Sequence, residues 1–354
     1  MAIASVPGAP PLSHTSQGIL CVVAGMVLFV GQDVLMKDML TLYPVWMLIF
    51  VRSVAALVTL LPLVVFLGAP HRIWTPLWPW YLARAVLFAA GFAAFYAAFP
   101  FMGLAEVITL FFSAPLMTAT LAAIFLQEKI GRHRAAALFL GFVGVVIAVN
   151  PTSGDIGWIA ILPLLCALSY AVSQIIVRRI GEQDTSLTIG LYTISFSGLV
   201  ILPIGFAVSM ILDITPELRH LGMEWPLPDL NGLAMLAFLG TLGTVAYTLV
   251  SRAYQIASAS VIAPFDYSYL PLAAGLAYLL WGEVPPVTTL IGMVLIVGSG
   301  MYTAYRELRV ARPADETPPI SQTVFTPGGP AAVLAEALDA EATQLDAAGE
   351  KVSP

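Results

Sequence analysis

The chain has 354 residues, of which 59% are hydrophobic and only 10% are charged, and its formal net charge is −6. Soluble domains carry about 25% charged residues, so this composition excludes an ordinary water-soluble fold and indicates a protein of the lipid bilayer. The negative charge says little about topology, because the rule that orients membrane proteins counts lysine and arginine rather than acidic residues.

Ten apolar stretches follow one another along the chain, and each has about 20 residues, enough to cross a hydrocarbon core about 30 Å thick. Turn residues and charges separate them. The sequence therefore predicts an all-α integral membrane protein with ten transmembrane helices. The predicted spans lie near 18–37, 43–67, 79–99, 104–126, 133–150, 156–178, 187–212, 231–254, 258–281 and 287–306.

The basic residues predict the orientation of these spans. If the N-terminus is cytoplasmic, eleven of the fifteen Lys and Arg residues fall in inner segments, whereas only Lys37 and Arg219 fall in outer loops. This bias predicts a multi-pass protein of the cell inner membrane with both termini in the cytoplasm. Residues 1–16 are then a cytoplasmic N-terminal tail. Residues 307–354, rich in Pro, Ala, Thr and acidic residues, are predicted to be a disordered cytoplasmic C-terminal tail.

Two long segments share one plan. They are "LAEVITLFFSAPLMTATLAAIFLQEKI" (104–130) and "SASVIAPFDYSYLPLAAGLAYLLWGEV" (258–284). Each begins with small residues, has a proline in mid-span (Pro115 and Pro271) and closes with a glutamate. Their spacing predicts that the chain consists of two related halves.

The halves are predicted to span 17–150 and 151–306, with five spans each. The openings "GQDVLMK" (31–37) and "SQIIVRR" (173–179) also match, since each places a glutamine five residues before a basic residue. Because five is an odd number, the second half must enter the membrane with the opposite orientation. We therefore predict an inverted repeat, in which binding sites form between the halves near the middle of the bilayer.

These two segments, within ten spans in two halves, resemble the EamA family of the drug/metabolite transporter superfamily over about residues 17 to 306. The stretch "APFDY…WGEVP", together with "YPVWMLIFVRS" (43–53), is similar to the bacterial subgroup that includes S-adenosylmethionine and riboflavin uptake carriers. The resemblance implies a solute carrier with a central cavity lined by the first, third, fourth, sixth, eighth and ninth spans. Substrates in the family range across amino acids, nucleotide-like metabolites, vitamins and drugs.

Asp266 is the only charged residue between about 258 and 281. An aspartate at the centre of such a helix costs about 2.5 to 3.5 kcal/mol on insertion scales, so it is expected to meet water, a partner or a ligand. With Tyr267, Tyr269 and the carbonyls that Pro271 leaves free, it is predicted to bind a polar or cationic aromatic solute. The alternative is that Asp266 pairs with Arg52 or caps a broken helix.

Three other charged residues are candidates for coupling or gating. Arg52 lies about 14 Å into its span, where it could hold an anionic solute group or form a structural ion pair. Asp33 lies one helical turn before Lys37, so a local pair with that lysine is the alternative to a role in the pathway. Glu106 begins the fourth span, where it could act as a gate or proton carrier, or simply complement the helix dipole.

Several polar and aromatic residues within the spans are further candidates for substrate binding. Interhelical contact is the alternative for the polar ones, and plain packing is the alternative for the phenylalanine. These candidates are Gln32, Thr109, Phe112, Ser113, Tyr170, Gln174 and Tyr247. Glu283, at the end of the second repeated segment, is instead interpreted as a structural residue that binds loop backbone.

The chain lacks HExxH, CxxC and Walker motifs, so neither an enzyme nor an ATPase is predicted, and no cofactor or metal is expected. The expected partners are a small-molecule substrate and the lipid bilayer, with no nucleic acid. Gly141, Gly144 and Ala148 are suited to close helix contact, either within the protein or in a homodimer.

The functional hypothesis is secondary transport of a small metabolite by alternating access, with uptake or export both open. The solute could be S-adenosylmethionine, riboflavin or a related aromatic compound, and an amino-acid or drug exporter is the alternative. Proton coupling through Asp266, Asp33 or Glu106 is a further hypothesis, since low-dielectric surroundings favour the neutral form of a carboxyl group. A channel or a receptor without transport activity is less favoured.

Overall fold

A computed structural model describes most of the predicted membrane region, and the regular structure within it is helical, without a strand. Two predicted features lie outside this part of the chain: Glu128, the glutamate near the end of the first repeated segment, and residues 311–354 of the predicted tail. The described residues are 14–67, 73–127, 131–150, 158–180, 184, 186–257 and 259–310.

Twelve α-helices occur in the described residues, together with one short 3-10 helix, Pro216–Leu221, between the eighth and ninth. They are α1 His14–Met39, α2 Val45–Leu67, α3 Trp78–Ala97, α4 Leu104–Phe111, α5 Ala114–Phe125, α6 Arg132–Val149, α7 Ile161–Ile180, α8 Ser186–Ile211, α9 Leu230–Ile256, α10 Ala259–Asp266, α11 Tyr269–Trp281 and α12 Val287–Val310. The first helix thus begins before the predicted span, and the last continues past residue 306.

Among the described residues, seven helical segments are long and apolar enough to cross a membrane. Shorter apolar stretches occur in α7 and α12, at Ile161–Val177 and Val287–Thr303. The seven segments are Ser16–Met39, Val45–Phe66, Trp78–Ala97, Leu104–Phe125, Arg132–Val149, Thr188–Ile211 and Leu230–Val250.

The predicted spans 104–126 and 258–281 are each broken into two helices. One break lies between α4 and α5 at Phe112 and Ser113, and the other lies between α10 and α11 at Tyr267 and Ser268. The mid-span prolines of the sequence each fall in the first turn after a break, where their missing N–H has no helical partner to lose. A short interruption thus precedes each mid-span proline, and Phe112, Ser113 and Ser268 keep right-handed helical dihedral angles there.

The helices of the first half pack mainly on helices of the second half. The principal pairs are α1 with α9, α3 with α7, α3 with α8, α2 with α8, α2 with α9, and α6 with α12. Two smaller contacts, α4 with α11 and α1 with α11, complete the centre. The core therefore lies at the interface between the halves, and a cavity there would be lined by both.

The small residues of α6 contact α12 within the same chain. A Cβ atom added to Gly292 on α12 would lie 2.6 Å from the Gly144 carbonyl oxygen and 2.6 Å from Ala148 Cβ. Backbone and methyl groups this close leave no room for a larger side chain. The intramolecular alternative thus accounts for Gly144 and Ala148, and a homodimer is not needed to explain them.

Replacing Gly292 with Ala is expected to lower the unfolding free energy by about 1 to 3 kcal/mol, because the added methyl group collides with α6. Gly298→Ala on the same helix is the matched control, since nothing lies within 4 Å of its Cβ position. In a helix, alanine is about 0.5–1 kcal/mol more favourable than glycine, so this control should be neutral or slightly stabilising. Thermal unfolding in detergent measures both. Equal melting temperatures for the two variants would refute the tight contact.

Candidate functional site

A cavity of about 80 Å³ lies between the two halves. The six spans named by the family resemblance all contribute to its wall, through α1, α3, α4, α7, α9 and α11, and α2 and α8 contribute as well. Aromatic side chains dominate the wall. They are Phe29, Phe88, Phe92, Phe95, Tyr96, Phe111, Tyr170, Tyr247 and Tyr269.

Helix α3 supplies the largest aromatic surface. Phe88, Phe92, Phe95 and Tyr96 recur at spacings of four, three and one residues, so they lie on one side of the helix. Neighbouring rings of this group are 4.5 to 6.1 Å apart and tilted or edge-on, which is the favourable geometry for aromatic pairs. This stripe forms a rigid apolar wall suited to a flat ring system.

A chain of polar contacts crosses the cavity from one half to the other. Arg52 Nη1 donates to the Tyr96 hydroxyl at 2.8 Å, and this hydroxyl donates to Asp33 Oδ1 at 3.1 Å. The Tyr269 hydroxyl, from the second half, donates to Asp33 Oδ2. Asp33 is only 7% exposed. A half-buried base and a buried acid are thus joined through one tyrosine, and the acid connects the halves.

The guanidinium of Arg52 also lies against the aromatic wall. Its central carbon is 5.9, 5.4 and 5.6 Å from the ring centroids of Phe88, Phe92 and Tyr96. Cation–π contacts of this kind are worth about 2 kcal/mol when the cation is desolvated. The rings therefore stabilise a charge that would otherwise be costly within the bilayer.

Glycines on α9 bring that helix close to the polar chain. A Cβ atom on Gly243 would lie 2.5 Å from Gln32 Oε1, so a larger residue there would displace the Gln32 amide. Gly240, Gly243, Thr244 and Tyr247 share one face of α9 and line the cavity. The eighth predicted span thus forms a wall with little side-chain volume at its centre.

Six of the predicted site residues line the cavity, and they come from both halves. They are Gln32, Asp33, Arg52, Tyr170, Tyr247 and Tyr269. Gln174 lies just behind this wall, where its Nε2 donates to the Tyr170 hydroxyl at 2.8 Å.

Four other candidates surround the two helix breaks without lining the cavity. Thr109 and Ser113 donate to the carbonyls of their own helix, Ala105 at 2.7 Å and Leu110 at 2.7 Å. Phe112 packs between the rings of Tyr267 and Tyr269, at 5.6 and 5.9 Å. Substrate contact by these residues therefore requires a different conformation and stays a prediction.

Asp266 ends α10 directly before the second break and is fully buried. It lines neither the cavity nor the larger opening described below. Its carboxylate lies within electrostatic range of Tyr170, which does line the cavity. Arg52 bonds to Tyr96, so the structure gives no support to a pair between Asp266 and Arg52. Direct solute binding by Asp266 stays a prediction.

Sequence reasoning missed Tyr96, the hydroxyl that joins Arg52 to Asp33. The signal was present in "FAAGFAAFYAAF" (88–99), where aromatic residues repeat at helical spacing. Such a stripe is usually core packing, and it becomes informative only when a charged residue from another helix lies against it.

A second and larger space, the vestibule, has a volume of about 1520 Å³ at one end of the bundle. It is bounded by residues 37–44, 99–106, 214–226 and 281–285, with gaps in each range. Five acidic and two basic side chains line it, which gives a formal charge of −3. The two basic residues are Lys37 and Arg219.

Lys37 and Glu283 both line the vestibule and form an ion pair, at 2.5 Å between Nζ and Oε1. The local Asp33–Lys37 pair left open by the sequence is thus not formed, because Asp33 bonds to tyrosines instead. Glu283 Oε2 accepts the backbone N–H of Leu104 at 3.0 Å, as expected for a residue that binds loop backbone. Glu106 accepts a hydrogen bond from the Gly103 backbone and complements the start of α4.

The 3-10 helix forms part of the vestibule wall and is fixed to α3. His220 Nε2 lies 3.2 Å from the Ala97 carbonyl oxygen, and its ring packs edge-on against Phe101. Burial lowers the pKa of His220, so the imidazole is neutral at pH 7 and donates this bond. Trp46 Nε1 donates to the Leu221 carbonyl at 2.9 Å and fixes the same segment to α2.

Within the described ranges, no three His, Cys, Asp or Glu side chains come together as metal ligands. Cys21 and Cys166 are both free thiols. The cavity wall offers a flat aromatic surface, one acid, one base and several amide or hydroxyl groups, all of which can contact a solute.

Known transporters are similar to this chain over most of its length. The riboflavin transporter of Vibrio cholerae is 27% identical over 267 residues, which cover 74% of this chain and 83% of that protein. The S-adenosylmethionine uptake transporter of Rickettsia bellii is 26% identical over 296 residues, 84% of this chain and 96% of that protein. The pseudopaline exporter of Pseudomonas aeruginosa is 26% identical over 287 residues, 81% of this chain and 95% of that protein.

The model of one protein family matches nearly all of the described helical region, in two segments at residues 16–150 and 157–304. The family and the relatives named above are transporters rather than enzymes. With its several apolar helices, the chain is a multi-pass membrane protein. It belongs to the EamA-like transporter family.

Proposed function

We propose that this protein is a secondary transporter that moves a small organic metabolite across the bacterial inner membrane by alternating access. The observation that carries the proposal is the cavity between the halves, in which Asp33 of the first half bonds to Tyr269 of the second. A solute that binds there replaces contacts between the halves, and it can therefore favour one arrangement of the halves over another.

The helix contacts support ten spans arranged as two inverted repeats. In two related halves, each span of the first half corresponds to the span five places later. The pair of α1 with α9 then corresponds to the pair of α7 with α3, and α2 with α9 corresponds to α8 with α3. All four pairs are in contact. The two family matches coincide with the predicted halves. Five spans per half imply opposite orientations, with both termini cytoplasmic and the vestibule facing outward.

Asp33 is the coupling residue in this proposal. It is the only carboxylate that lines the cavity among the described residues, and it accepts hydrogen bonds from both halves. A proton on this carboxyl group would turn one of its oxygens into a donor and reverse the bond to that tyrosine. Proton binding and solute binding therefore compete for the two carboxyl oxygens of Asp33. Asp266 does not line the cavity and lies within electrostatic range of Tyr170, which does.

The shape and charge of the pathway support a flat aromatic solute that is neutral or cationic. The wall of α3 offers ring stacking, and the vestibule charge of −3 lowers the local concentration of anions. Riboflavin and S-adenosylmethionine, which are carried by relatives, fit this description. Export is the second candidate direction, because the pseudopaline exporter matches this chain over a similar length.

The test is a thermal-shift panel on purified protein, followed by flux into proteoliposomes with and without a pH gradient. Riboflavin or S-adenosylmethionine is expected to raise the melting temperature, since a ligand at 100 times its Kd stabilises by about 2.7 kcal/mol. Flavin mononucleotide is the matched control, because it keeps the ring of riboflavin and adds a phosphate. Equal shifts for both flavins would contradict the charge argument, and absence of saturable flux for every binder would overturn the transport proposal.

A further inference from the structure

The vestibule and the cavity are adjacent but have no lining residue in common. Helix α1 passes both of them: Phe29 and Asp33 line the cavity, and Lys37 lines the vestibule. These three residues are spaced by four, so they lie on one face of the helix. One helical turn, about 6 Å, therefore separates Asp33 in the cavity wall from Lys37 in the vestibule wall.

On α3 the separation is equally thin. Tyr96 lines the cavity and Phe99 lines the vestibule, and their rings are in edge-on contact at 5.3 Å between centroids. Both side chains are almost fully buried. The contact between Tyr96 and Phe99 thus lies between the two spaces.

The Lys37–Glu283 pair joins the two halves across this layer. Lys37 Nζ also lies 3.5 Å from the Met102 carbonyl oxygen and 4.9 Å from the centre of the Trp281 ring. Glu283 Oε2 holds the first N–H of α4 through Leu104. One carboxylate therefore connects the end of α1, the start of α4 and the residues after α11.

The pair is reached by water, and a second partner for the lysine lies nearby. The side chains of Lys37 and Glu283 are 15% and 29% exposed, so solvent can replace part of their interaction. A Cβ atom on Gly103 would lie 3.5 Å from Glu283 Oε2 and 3.6 Å from Glu106 Oε1, so the two carboxylates flank the same glycine. Lys37 could pass from Glu283 to Glu106 without its ammonium losing a carboxylate partner.

We propose that Lys37 and Glu283 form the gate between the vestibule and the cavity. The gate is shut while Lys37 binds Glu283 of the second half. It opens when Lys37 transfers to Glu106 of the first half, because the end of α11 is then released from α1. This inference rests on the proposed transport function, in which the halves move relative to one another.

The test measures how readily the cavity is reached from the vestibule side and needs no knowledge of the solute. A single reporter cysteine, Ala56→Cys, is placed in the cavity wall after Cys21→Ser and Cys166→Ala remove the native thiols. Right-side-out vesicles are treated with a membrane-impermeant, trimethylammonium-bearing methanethiosulfonate. Glu283→Gln is expected to speed labelling about tenfold, which corresponds to 1.4 kcal/mol. Glutamine removes the charge but keeps an oxygen for the Leu104 N–H.

Glu217→Gln is the matched control, because it removes the same charge from the vestibule wall away from the pair. Its labelling rate should equal that of the parent, and a rise equal to that of Glu283→Gln would overturn the gate.

Lys37→Gln should speed labelling as Glu283→Gln does. Glu106→Gln should leave the rate at or below that of the parent, whereas acceleration would contradict the transfer of Lys37. If labelling follows these expectations while no solute shows saturable flux, the transport proposal fails and the gate does not.

Discussion

Replacing Asp33 with Asn is expected to reduce solute flux about 10- to 100-fold while the protein still folds. The amide can accept only one of the two tyrosine hydrogen bonds, and its NH2 group faces the other hydroxyl. A hydrogen bond to a charged group contributes about 1.5 to 3 kcal/mol, which corresponds to this range of rates or affinities. Initial rates of flux into proteoliposomes measure the effect, and any dependence on a pH gradient should disappear.

Asp213→Asn is the matched control for this change. Asp213 is exposed in the connection after α8 and lines neither the cavity nor the vestibule, so the same substitution there should leave flux unaltered. If Asp33→Asn retains full flux with an intact gradient response, Asp33 is not the coupling residue. Asp266→Asn would then be the variant to measure under the same conditions.

Replacing Arg52 with Gln is expected to have the second large effect, on stability as well as flux. The variant loses the donor to Tyr96 and the contacts with three aromatic rings, and it leaves Asp33 without a nearby positive charge. We expect a loss of about 1 to 2 kcal/mol in unfolding free energy, the size of a cation–π contact at a half-buried site, together with strongly reduced flux. Thermal unfolding in detergent and flux measured per folded molecule separate the two effects.

Arg52→Lys tests whether charge alone is sufficient. Lysine keeps the charge but lacks the planar group that stacks on rings, so it should restore only part of the stability. Arg132→Gln, at the exposed start of α6, is the control for loss of one positive charge and should change neither property. Full stability of Arg52→Gln would show that the ring contacts contribute nothing measurable.

The position of a charged residue along the chain indicated its depth in a span, because residues can be counted along a helix of fixed rise. Arg52 was expected near the middle of the bilayer, and Asp33 either in the pathway or paired with Lys37; both residues line the cavity. Glu283 was expected to bind loop backbone, and it does so at Leu104. A role of Arg52 or Asp33 in transport stays a prediction.

The bonding partners of the charged residues were harder to predict than their depth in a span. Asp33 had Lys37 one turn away as its obvious partner, yet its actual partners are Tyr96 and Tyr269, 63 and 236 residues distant. Lys37 in turn pairs with Glu283, 246 residues away. Helix rotation and interhelical packing decide such contacts, and periodicity in one sequence does not specify which faces meet.

By itself, the sequence determined that this protein is helical and membrane-bound, and it indicated its family through two repeated segments. Those properties follow from composition, span length and local proline placement, which act within about 20 residues. The tertiary structure decided which acid meets the cavity, since Asp33 and Asp266 both lie within predicted spans of the sequence. Asp33 of α1 lies at the cavity wall, where it bonds to Tyr96 of α3 and Tyr269 of α11, whereas Asp266 is buried outside the cavity lining.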